Sequence, residues 1–383
     1  MYYLWQVEVM LANFQKLGIV EKHEVQVLFA HKQTDAITQH AKPYLNRLRE
    51  RFKGVEILLY QDTRVEPHYV SSLRPHILKK HFMLNPDMQD RAVFYHDCDM
   101  LFTRYPDFLD NKALLAIDKN WYVSDCISYL GYDYLMPKHD YAFKHMVNIV
   151  GINPVWVLDK SHQSGGAQYL MKFVPWTFWS KVESDCERLY KEVSALNYIK
   201  KKNEPNFHEL QIWTADMWAV LWNAWMLGFN TNIIPEMSFA WPTDSLDSLN
   251  EKYIYHNAGV MPDMAENYFY KANFINKLPY THDGEHYLID KASYWYWVQV
   301  ASQLSQSCLI INKVEEILTS YGRAFKPTDG EKEIAAMRLK VCQTCEHWKQ
   351  GFIDRCGLCN CPTRIQVFSP KDVSACMEKK WPV

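Results

Sequence analysis

Residues 91–102 read RAVFYHDCDMLF, an apolar stretch that runs into two aspartates, Asp97 and Asp99. Its AVFY run is typical of a strand buried in a sheet. Both carboxylates can face one point in a cleft if the chain turns there, and such oxygen ligands suit Mg²⁺ or Mn²⁺. Asp-x-Asp pairs are also common on ordinary surfaces. Unpaired carboxylates at the end of a buried strand are costly, however, unless something binds them. The pattern therefore favours a metal site, with Cys98 in the core.

Upstream of this stretch, predicted strands alternate with predicted helices. EVQVLFAHK (24–32) and VEILLY (55–60) have the short apolar runs of buried parallel strands. A polar helical segment covers about 35–52, and RPHILKKHF (74–82) is helical with its proline in the first turn. This order predicts an α/β sheet of parallel strands with the ligand site at their C-terminal ends. A nucleotide-binding fold normally opens with a strand, but residues 1–17 read as a helix, so that strand is absent or replaced.

Composition excludes several classes of protein. At 383 residues the chain is long enough for a large domain and a small one, and its net charge of -2 gives no overall basic field for a polyanion. No apolar stretch approaches the roughly 20 residues of a membrane span, and the first residues lack the basic start of a signal peptide. We therefore expect no membrane partner and a cytoplasmic location, in a host if the protein is viral. The ten cysteines are then thiols or metal ligands.

Several motifs of the chain resemble those of glycosyltransferases. FYHDCDMLF is similar to the Asp-x-Asp region of GT-A enzymes, and RPHILKKHF resembles plant and algal peptidyl arabinosyl- and galactosyltransferases. Four further motifs resemble uncharacterised glycosyltransferase-like proteins of phages. They are WYVSDCISYLGYDYL, SGGAQYLMK, WTADMWAVLWNAW and YHNAGV. The resemblance covers about residues 1–290, and the order of the motifs makes it specific for the family. It implies a GT-A (Rossmann-like) domain that binds a nucleotide sugar, but not which sugar, which acceptor or whether anomeric configuration is retained.

A late histidine, His256, lies in YIYHNAG, which reads as a strand leading into a glycine turn. In several GT-A families a late histidine followed by glycine completes the metal site, and His256 with Gly259 is similar. Neutral imidazole is an acceptable third ligand beside two carboxylates. The alternative is a buried, hydrogen-bonded histidine. We expect Asp97, Asp99 and His256 to hold Mn²⁺ or Mg²⁺.

The segment SGGAQYLMK (164–172) combines paired glycines with a glutamine. Glycines let backbone N–H groups approach a ligand closely. The resemblance implies that this loop lines the floor of the sugar site, with Gln168 as a partner for a sugar hydroxyl. An ordinary turn into a strand is the alternative. The predicted donor-binding residues of this loop are Ser164, Gly165, Gly166 and Gln168.

Three other charged residues are candidates for the reaction itself. Asp216 lies beside the apolar face of a predicted helix (211–227), where a raised pKa suits a general base for an acceptor hydroxyl. In a retaining enzyme it would instead steady the cationic sugar, and a carboxylate favoured by the helix dipole is the alternative. Asp125 is a candidate contact to donor or acceptor. Arg74 is a candidate contact to diphosphate or uracil, or else a surface cation at a helix end.

The C-terminal tail is rich in cysteine. Two Cys-x2-Cys pairs separated by ten residues predict a zinc site, and so short a segment needs a metal to fold. A disulfide cluster would require an oxidising compartment. We predict a GT-A domain over 1–325, a KPTDG linker and a zinc-binding module over 331–383, whose ending resembles tails of phage proteins. The predicted zinc ligands are Cys342, Cys345, Cys356 and Cys359, with Cys361 and Cys376 as alternates.

These observations predict a metal-dependent glycosyltransferase that moves a sugar from a UDP-sugar to a hydroxyl acceptor. A modified DNA base and a virion protein are both open as the acceptor. A nucleotidyltransferase or another phosphotransfer enzyme is the rival enzyme, but these typically carry a Gly-rich phosphate loop near the N-terminus, which this chain lacks. A non-catalytic scaffold whose zinc module docks to DNA or a virion partner is the rival from another class. The absent first strand keeps that rival open.

Overall fold

The chain forms two compact units, Met1–Val300 and Ala301–Val383, each described here by itself. The predicted boundary at 325–331 stays a prediction. Within the described residues, no helix combines the length and apolar character needed to cross a membrane. The computed structural model describes residues 1–32, 41–303 (side chains of 137 and 138 excepted), 320, 323–324, 326–351, 354–357, 363–369 (side chain of 365 excepted), 376 and 380–381.

The first unit mixes helices and strands along the chain. Its helices in the described residues include α1 (Tyr2–Lys16), α2 (Lys42–Arg51), α3 (Leu73–Leu84), α4 (Lys112–Leu115), α5 (Ile127–Leu130), α6 (Tyr132–Val150), α7 (Pro154–Asp159), α8 (Trp176–Asn203), α9 (Ala215–Met226) and α10 (Ser248–Glu251), and residues 292–300 at its end are helical as well. Its strands are β1 (Val25–His31), β2 (Val55–Gln61), β3 (Val93–Tyr95), β4 (Met100–Phe102), β5 (Asn120–Asp125), β6 (Gly165–Met171), β7 (Asn230–Ile233), β8 (Phe239–Ala240) and β9 (Ile254–His256). The opening helix, the first two strands and the helix over 74–82 therefore form as predicted.

The strands form three sheets in this unit. β1 and β2 pair in parallel, as predicted, and β4, β9 and β8 form a second sheet in that order. The third sheet has the order β3-β6-β5-β7, and β6 runs antiparallel to both of its neighbours. The chain is thus mixed α/β, and the prediction of a purely parallel sheet is wrong. Hydrophobic runs reveal that a strand exists, but its direction is decided by partners far away in sequence.

The predicted third strand is split where the acids lie. β3 ends at Tyr95 and pairs with β6, whereas β4 begins at Met100 and pairs with β9 in another sheet. Residues 96–99 connect the two sheets. The HDCD segment therefore lies at the carboxyl end of β3, and a turn at residues 98–99 leads from it into β4. That position brings it opposite β9, which ends at His256.

Large aromatic side chains fill the core of the first unit. Trp218 and Trp222 of α9 are fully buried, as are Trp121 of β5 and Trp179 of α8. Each such ring buries roughly 150–250 Å² of apolar surface, so this core fixes α9 against the sheet and α8. Asp216 lies in the first turn of α9. The packed tryptophans therefore hold a carboxylate in a defined place.

In the second unit, α11 (Asp329–Gln343) begins with a capping box between Thr328 and Glu331. A hairpin of β10 (Trp348–Lys349) and β11 (Arg355–Cys356) and a short α12 (Thr363–Gln366) follow. The buried apolar residues of its described part are few. They are Ala335, Val367 and Trp381.

Candidate functional site

Asp97, Asp99 and His256 converge at the junction of two sheets. One ligand atom of each lies within 4.8 Å of the other two, and no other such group of His, Cys, Asp or Glu occurs in the described part of the chain. His256 Nε2 is 3.4 Å from Asp99 Oδ1 and 3.9 Å from Asp97 Oδ2. Asp99 and His256 are buried, whereas Asp97 is 32% exposed. Two carboxylates and an imidazole around one point can hold a metal ion.

The protonation of His256 follows from the groups behind it. Ser124 Oγ has one proton and contacts both Gln168 Oε1 (2.5 Å) and the Met237 carbonyl (2.7 Å). It cannot donate to both, but turning the Gln168 amide by 180° lets the amide donate to Ser124, which then donates to Met237. The Gln168 carbonyl then faces His256 Nδ1, 3.2 Å away, and accepts its proton. Nε2 is then the imidazole nitrogen that faces the carboxylates, and it can bind a metal ion in exchange for the proton with which it hydrogen-bonds to Asp99.

Gly259 shapes the turn after His256. Its φ of 81° lies in the left-handed region, and a Cβ there would meet the Trp241 ring at 3.4 Å. Any other side chain would be strained in this conformation. Gly259 and Trp241 both line the cavity described below. The glycine that the sequence associates with His256 is therefore required by the backbone of the site.

Two cations of the chain already contact the carboxylates. Arg74 Nη1 donates to Asp97 at 2.8 Å and 3.1 Å, and Lys271 Nζ forms an ion pair with Asp99. Burial alone would raise the pKa of Asp99, but Lys271 and His256 outweigh it and hold that pKa well below its usual range. Burial alone would lower the pKa of Lys271, but the neighbouring charge of Asp99 outweighs this effect. The pKa of Lys271 is therefore raised. Asp99 is therefore a carboxylate at neutral pH.

Asp216 lies next to this group and shares Arg74 with it. Arg74 Nη2 is 2.6 Å from Asp216 Oδ2, and the Tyr69 hydroxyl donates to Asp216 Oδ1 at 2.5 Å. Burial raises the pKa of Asp216, although Arg74 and Tyr69 oppose the shift. A buried carboxylate with a raised pKa, held by two donors, is suited to accept a proton.

A cavity of about 1580 Å³ opens beside these residues. Arg74, Asp97, Asp99, Asp216, His256 and Lys271 all line it. Trp213 and Met261 also line it and remain 60% and 57% exposed, so they present apolar surface to an incoming molecule. The cavity exceeds the roughly 300–1,000 Å³ of a typical small-molecule pocket. A nucleotide sugar would therefore occupy only part of it.

Within the SGGAQ segment, Ala167 lines the cavity and the other four residues lie behind it. Gln168 is fully buried and bonds to Ser124 and His256, so the structure contradicts its predicted contact with a sugar hydroxyl. Ser164, Gly165 and Gly166 are buried as well, and the cavity lining does not include them. A Cβ at Gly165 would lie 2.6 Å from the Ser124 carbonyl, so this glycine is required for contact between β6 and β5 rather than for a ligand. A strand buried on both faces explains the small residues.

Asp125 is also displaced from the site. Its carboxylate is exposed and accepts a hydrogen bond from the Ile127 N–H, and it does not line the cavity. Instead of the predicted contact to donor or acceptor, the structure shows this local hydrogen bond to the first residue of α5. Arg74 does line the cavity and is 36% exposed, but its guanidinium is engaged with Asp97 and Asp216. Its contact to a diphosphate or uracil stays a prediction.

Two residues of the site had no signal in the sequence. Lys271 follows His256 by fifteen positions and begins a short 3₁₀ helix, and Tyr69 lies between predicted elements. Each reaches its carboxylate through a contact more than 140 positions away in sequence. No local spacing encodes such a contact. Only the assembled fold brings these donors to Asp99 and Asp216.

Comparisons with protein-family models and with curated proteins find no match to the chain. The geometry of the site is therefore what argues for its chemistry.

Four of the predicted zinc ligands lie in the described part of the second unit. Burial raises the pKa of the Cys342 thiol, the Trp381 indole lowers it by a 3.3 Å hydrogen bond, and the other three thiols raise it further. These three neighbours are Cys376, Cys356 and Cys345. Their sulfur atoms do not form a metal-sized group, and a zinc site stays a prediction. Cys359 and Cys361 lie outside the described residues.

Proposed function

We propose that the first unit is a metal-dependent glycosyltransferase with a GT-A type of nucleotide-sugar site. The observation that carries the proposal is the convergence of Asp97, Asp99 and His256 on one point at the wall of a large cavity. The Gln168 amide supports it, since it can accept the Nδ1 proton of His256 and so leaves Nε2 as the nitrogen that can bind the metal ion. A divalent ion held there would neutralise charge that develops on a departing diphosphate. Oxygen and imidazole ligands fit Mn²⁺ or Mg²⁺.

The neighbouring cations suit a diphosphate donor. Three carboxylates (Asp97, Asp99 and Asp216) face two cations (Arg74 and Lys271), so these groups sum to one negative charge. A divalent ion reverses the sign, and a UDP-sugar then meets a positive site. Lys271 is 28% exposed and can turn from Asp99 to a phosphate oxygen. The chain itself thus provides a charge for the leaving group.

Asp216 is the proposed general base for the acceptor. It takes the proton of the acceptor hydroxyl as that oxygen bonds to the sugar carbon and the bond to the diphosphate breaks. Tyr69 and Arg74 hold its two oxygens in place. The exposed Trp213 lies beside it and offers a flat face to the acceptor or the sugar. Acceptors open to this site are hydroxyls of a modified DNA base or of a protein.

A zinc-binding module is proposed for the second unit. In the described part of that unit, the buried apolar core consists of Ala335, Val367 and Trp381, and a short cysteine-rich segment commonly gains stability from a metal ion. Cys342 has three neighbouring thiols that act on its pKa. A tetrahedral zinc ion would supply the missing free energy of folding.

One observation favours a second candidate, a non-catalytic glycosyltransferase-like scaffold. Asp97 and Asp99 each have a cation of the chain as partner, Arg74 and Lys271, so a metal ion must displace or share these contacts. A scaffold would keep the ion pairs and bind DNA or a virion partner through its second unit.

A panel of nucleotide sugars, scored for Mn²⁺-dependent hydrolysis, separates the two candidates. The enzyme hydrolyses one donor slowly in the absence of acceptor, and EDTA stops the reaction. A scaffold hydrolyses none of them. The panel also identifies the donor sugar, which the geometry does not specify.

A further inference from the structure

Two donors hold the carboxylate of Asp216, and both come from one stretch of chain. Tyr69 lies in segment 62–72, which connects β2 to α3, and Arg74 lies in the first turn of α3. The Tyr69 hydroxyl is 2.5 Å from Asp216 Oδ1, and Arg74 Nη2 is 2.6 Å from Asp216 Oδ2. The conformation of segment 62–72 therefore determines how Asp216 is held.

The Tyr69 hydroxyl serves both protonation states of Asp216. It is also 2.5 Å from the Trp213 carbonyl, and a phenol has only one proton to donate. When Asp216 is ionised, the hydroxyl donates to Oδ1. When Asp216 has taken a proton, Oδ1 can donate it to the Tyr69 oxygen, and the hydroxyl then donates to the Trp213 carbonyl. The base thus gains and loses a proton while both of these contacts stay hydrogen-bonded.

Glu187, on α8, holds the backbone of this segment. Its carboxylate accepts hydrogen bonds from the His68 N–H at 2.9 Å and from the Tyr69 N–H at 3.3 Å. The Ser72 hydroxyl donates to the same carboxylate. Hydrogen bonds to an ionised group are roughly twice as strong as neutral ones. A single side chain from a distant helix therefore fixes the backbone on both sides of Tyr69.

The ring of Tyr69 is held by the same helix. It stacks on Tyr190 with 4.7 Å between the ring centroids and 20° between the ring planes. Glu187 and Tyr190 are three positions apart on α8, so they lie on one face of that helix. One turn of α8 thus fixes both the backbone and the ring of Tyr69, and with them the direction of its hydroxyl.

We propose that Glu187 is a positioning residue, which acts on Asp216 through Tyr69. Among the described residues, Glu187 is not one of those that line the cavity, so it acts on the base through the segment that it holds. Without its carboxylate, residues 68–72 shift and the hydroxyl leaves Asp216 Oδ1. The inference rests on the proposed function, because there Asp216 is the general base.

Two substitutions at Glu187 separate its hydrogen bonds from its charge. Glu187→Ala removes all of its contacts to the segment. Glu187→Gln keeps an oxygen for the N–H groups of His68 and Tyr69, and its amide can donate to Ser72 Oγ. The Ser72 proton can then turn to the Tyr69 carbonyl, 2.8 Å away. Glutamine should therefore hold the segment almost as glutamate does.

Two further variants complete the set. Tyr69→Phe removes only the hydroxyl, because the ring on Tyr190 and the N–H to Glu187 are unchanged, and it is combined with Glu187→Ala. Glu192→Ala is the matched control. Glu192 lies on the same helix but pairs with His145 and Arg188 rather than with segment 62–72.

The first measurement is Mn²⁺-dependent hydrolysis of the UDP-sugar that gives turnover. Glu187→Ala should lower kcat about 10- to 100-fold, as small displacements at an active site do, and leave KM within about 3-fold. Glu187→Gln and Glu192→Ala should stay within about 3-fold of the unmodified chain. In the Tyr69→Phe background, Glu187→Ala should cost less than about 3-fold, because the hydroxyl that it positions is already gone.

Three results would overturn the proposal. They are an unchanged kcat in Glu187→Ala, an equal loss of kcat in Glu192→Ala, and a loss in the combined variant that equals the product of the two single losses.

Amide exchange of residues 68 and 69 is the second measurement, and it needs no turnover. Exchange should be about 10-fold faster in Glu187→Ala than in the unmodified chain or Glu192→Ala, since each N–H loses its acceptor. Unchanged exchange would overturn the positioning of Tyr69. A chain that hydrolyses no UDP-sugar but shows this difference would contradict the proposed function and support the positioning.

Discussion

Gln168 lies directly behind His256, with 3.2 Å between its amide and His256 Nδ1. The amide is fully buried, and its other polar atom contacts Ser124, which in turn contacts the Met237 carbonyl. This chain of hydrogen bonds determines which imidazole nitrogen carries a proton. The metal-binding capacity of His256 therefore depends on a residue that does not line the cavity.

Replacing Gln168 with methionine should weaken Mn²⁺ binding by about 10- to 100-fold, as loss of such outer contacts typically does. Methionine has a similar length but accepts no proton from Nδ1, so His256 can adopt the wrong tautomer. Calorimetric titration with Mn²⁺ measures the effect. Gln15→Met on the exposed face of α1 is the matched control and should bind Mn²⁺ like the unmodified chain. Unchanged affinity in Gln168→Met would show that the tautomer does not matter.

Asp216→Asn should lower turnover by about 10²- to 10⁴-fold, the typical loss of a positioned general base. Donor affinity should stay within a few-fold, and tryptophan fluorescence should report intact packing around α9. Asp125→Asn is the control, because that residue is exposed, bonds only locally to the Ile127 N–H and does not line the cavity. Loss of turnover in Asp125→Asn with normal turnover in Asp216→Asn would reverse the assignment.

The pH dependence of turnover gives a second test of Asp216. Burial raises its pKa, so the base becomes protonated at a higher pH than an ordinary aspartate. Turnover should therefore fall on the acid side through an apparent pKa above the usual value of about 3.9. The weak residual turnover of Asp216→Asn should lack this decline. An acid limb that is identical in both proteins would assign the titration to another group.

Protonation of Asp99 at low pH should lower the free energy of unfolding of the first unit. Its folded-state pKa is lowered by Lys271 and His256 against the effect of burial, so its contribution is present above about pH 3.9 and lost as pH falls. Urea unfolding at pH 7 and pH 3.5 measures this loss, which Asp99→Asn should reduce. Asp263→Asn, at an exposed position, should leave it unchanged.

The second unit should contain about one zinc ion per chain when purified without added zinc. Cys342→Ser and Cys356→Ser should each lose the metal, because each removes one of four ligands. Elemental analysis decides the outcome. Disulfides found by mass spectrometry in place of zinc would overturn the metal assignment and the cytoplasmic expectation together.

Local sequence predicted the elements better than it predicted their partners. The apolar runs of β1 and β2 and the helical pattern of α1 required only neighbours in sequence, and each forms where expected. The split between β3 and β4 was missed, because VFYHDCDMLF is apolar on both sides of the acids while its halves pair with β6 and β9. Strand direction in the mixed sheets likewise depends on distant pairing.

The candidate site was predicted only in part, because some of its contacts also depend on residues distant in sequence. Asp97, Asp99 and His256 have side chains that commonly bind metal ions, and the fold brings them together. Gln168 and the glycines before it were predicted to face the sugar, but they are buried away from the cavity. The sequence does not reveal which face of this strand is buried. Lys271 depends wholly on a long-range contact. Residue type thus predicted the chemistry, and only the fold determined the orientation.

Binding of UDP, with and without metal, tests the central claim most directly. Calorimetry with UDP in Mn²⁺ and in EDTA is compared for the unmodified chain and for the variant Asp97→Asn, Asp99→Asn. The account predicts UDP binding in Mn²⁺ that is lost in EDTA and lost in the double variant, because Asp97, Asp99 and His256 hold the ion that meets the diphosphate. Equal UDP affinity in EDTA, or in a folded double variant, would contradict it.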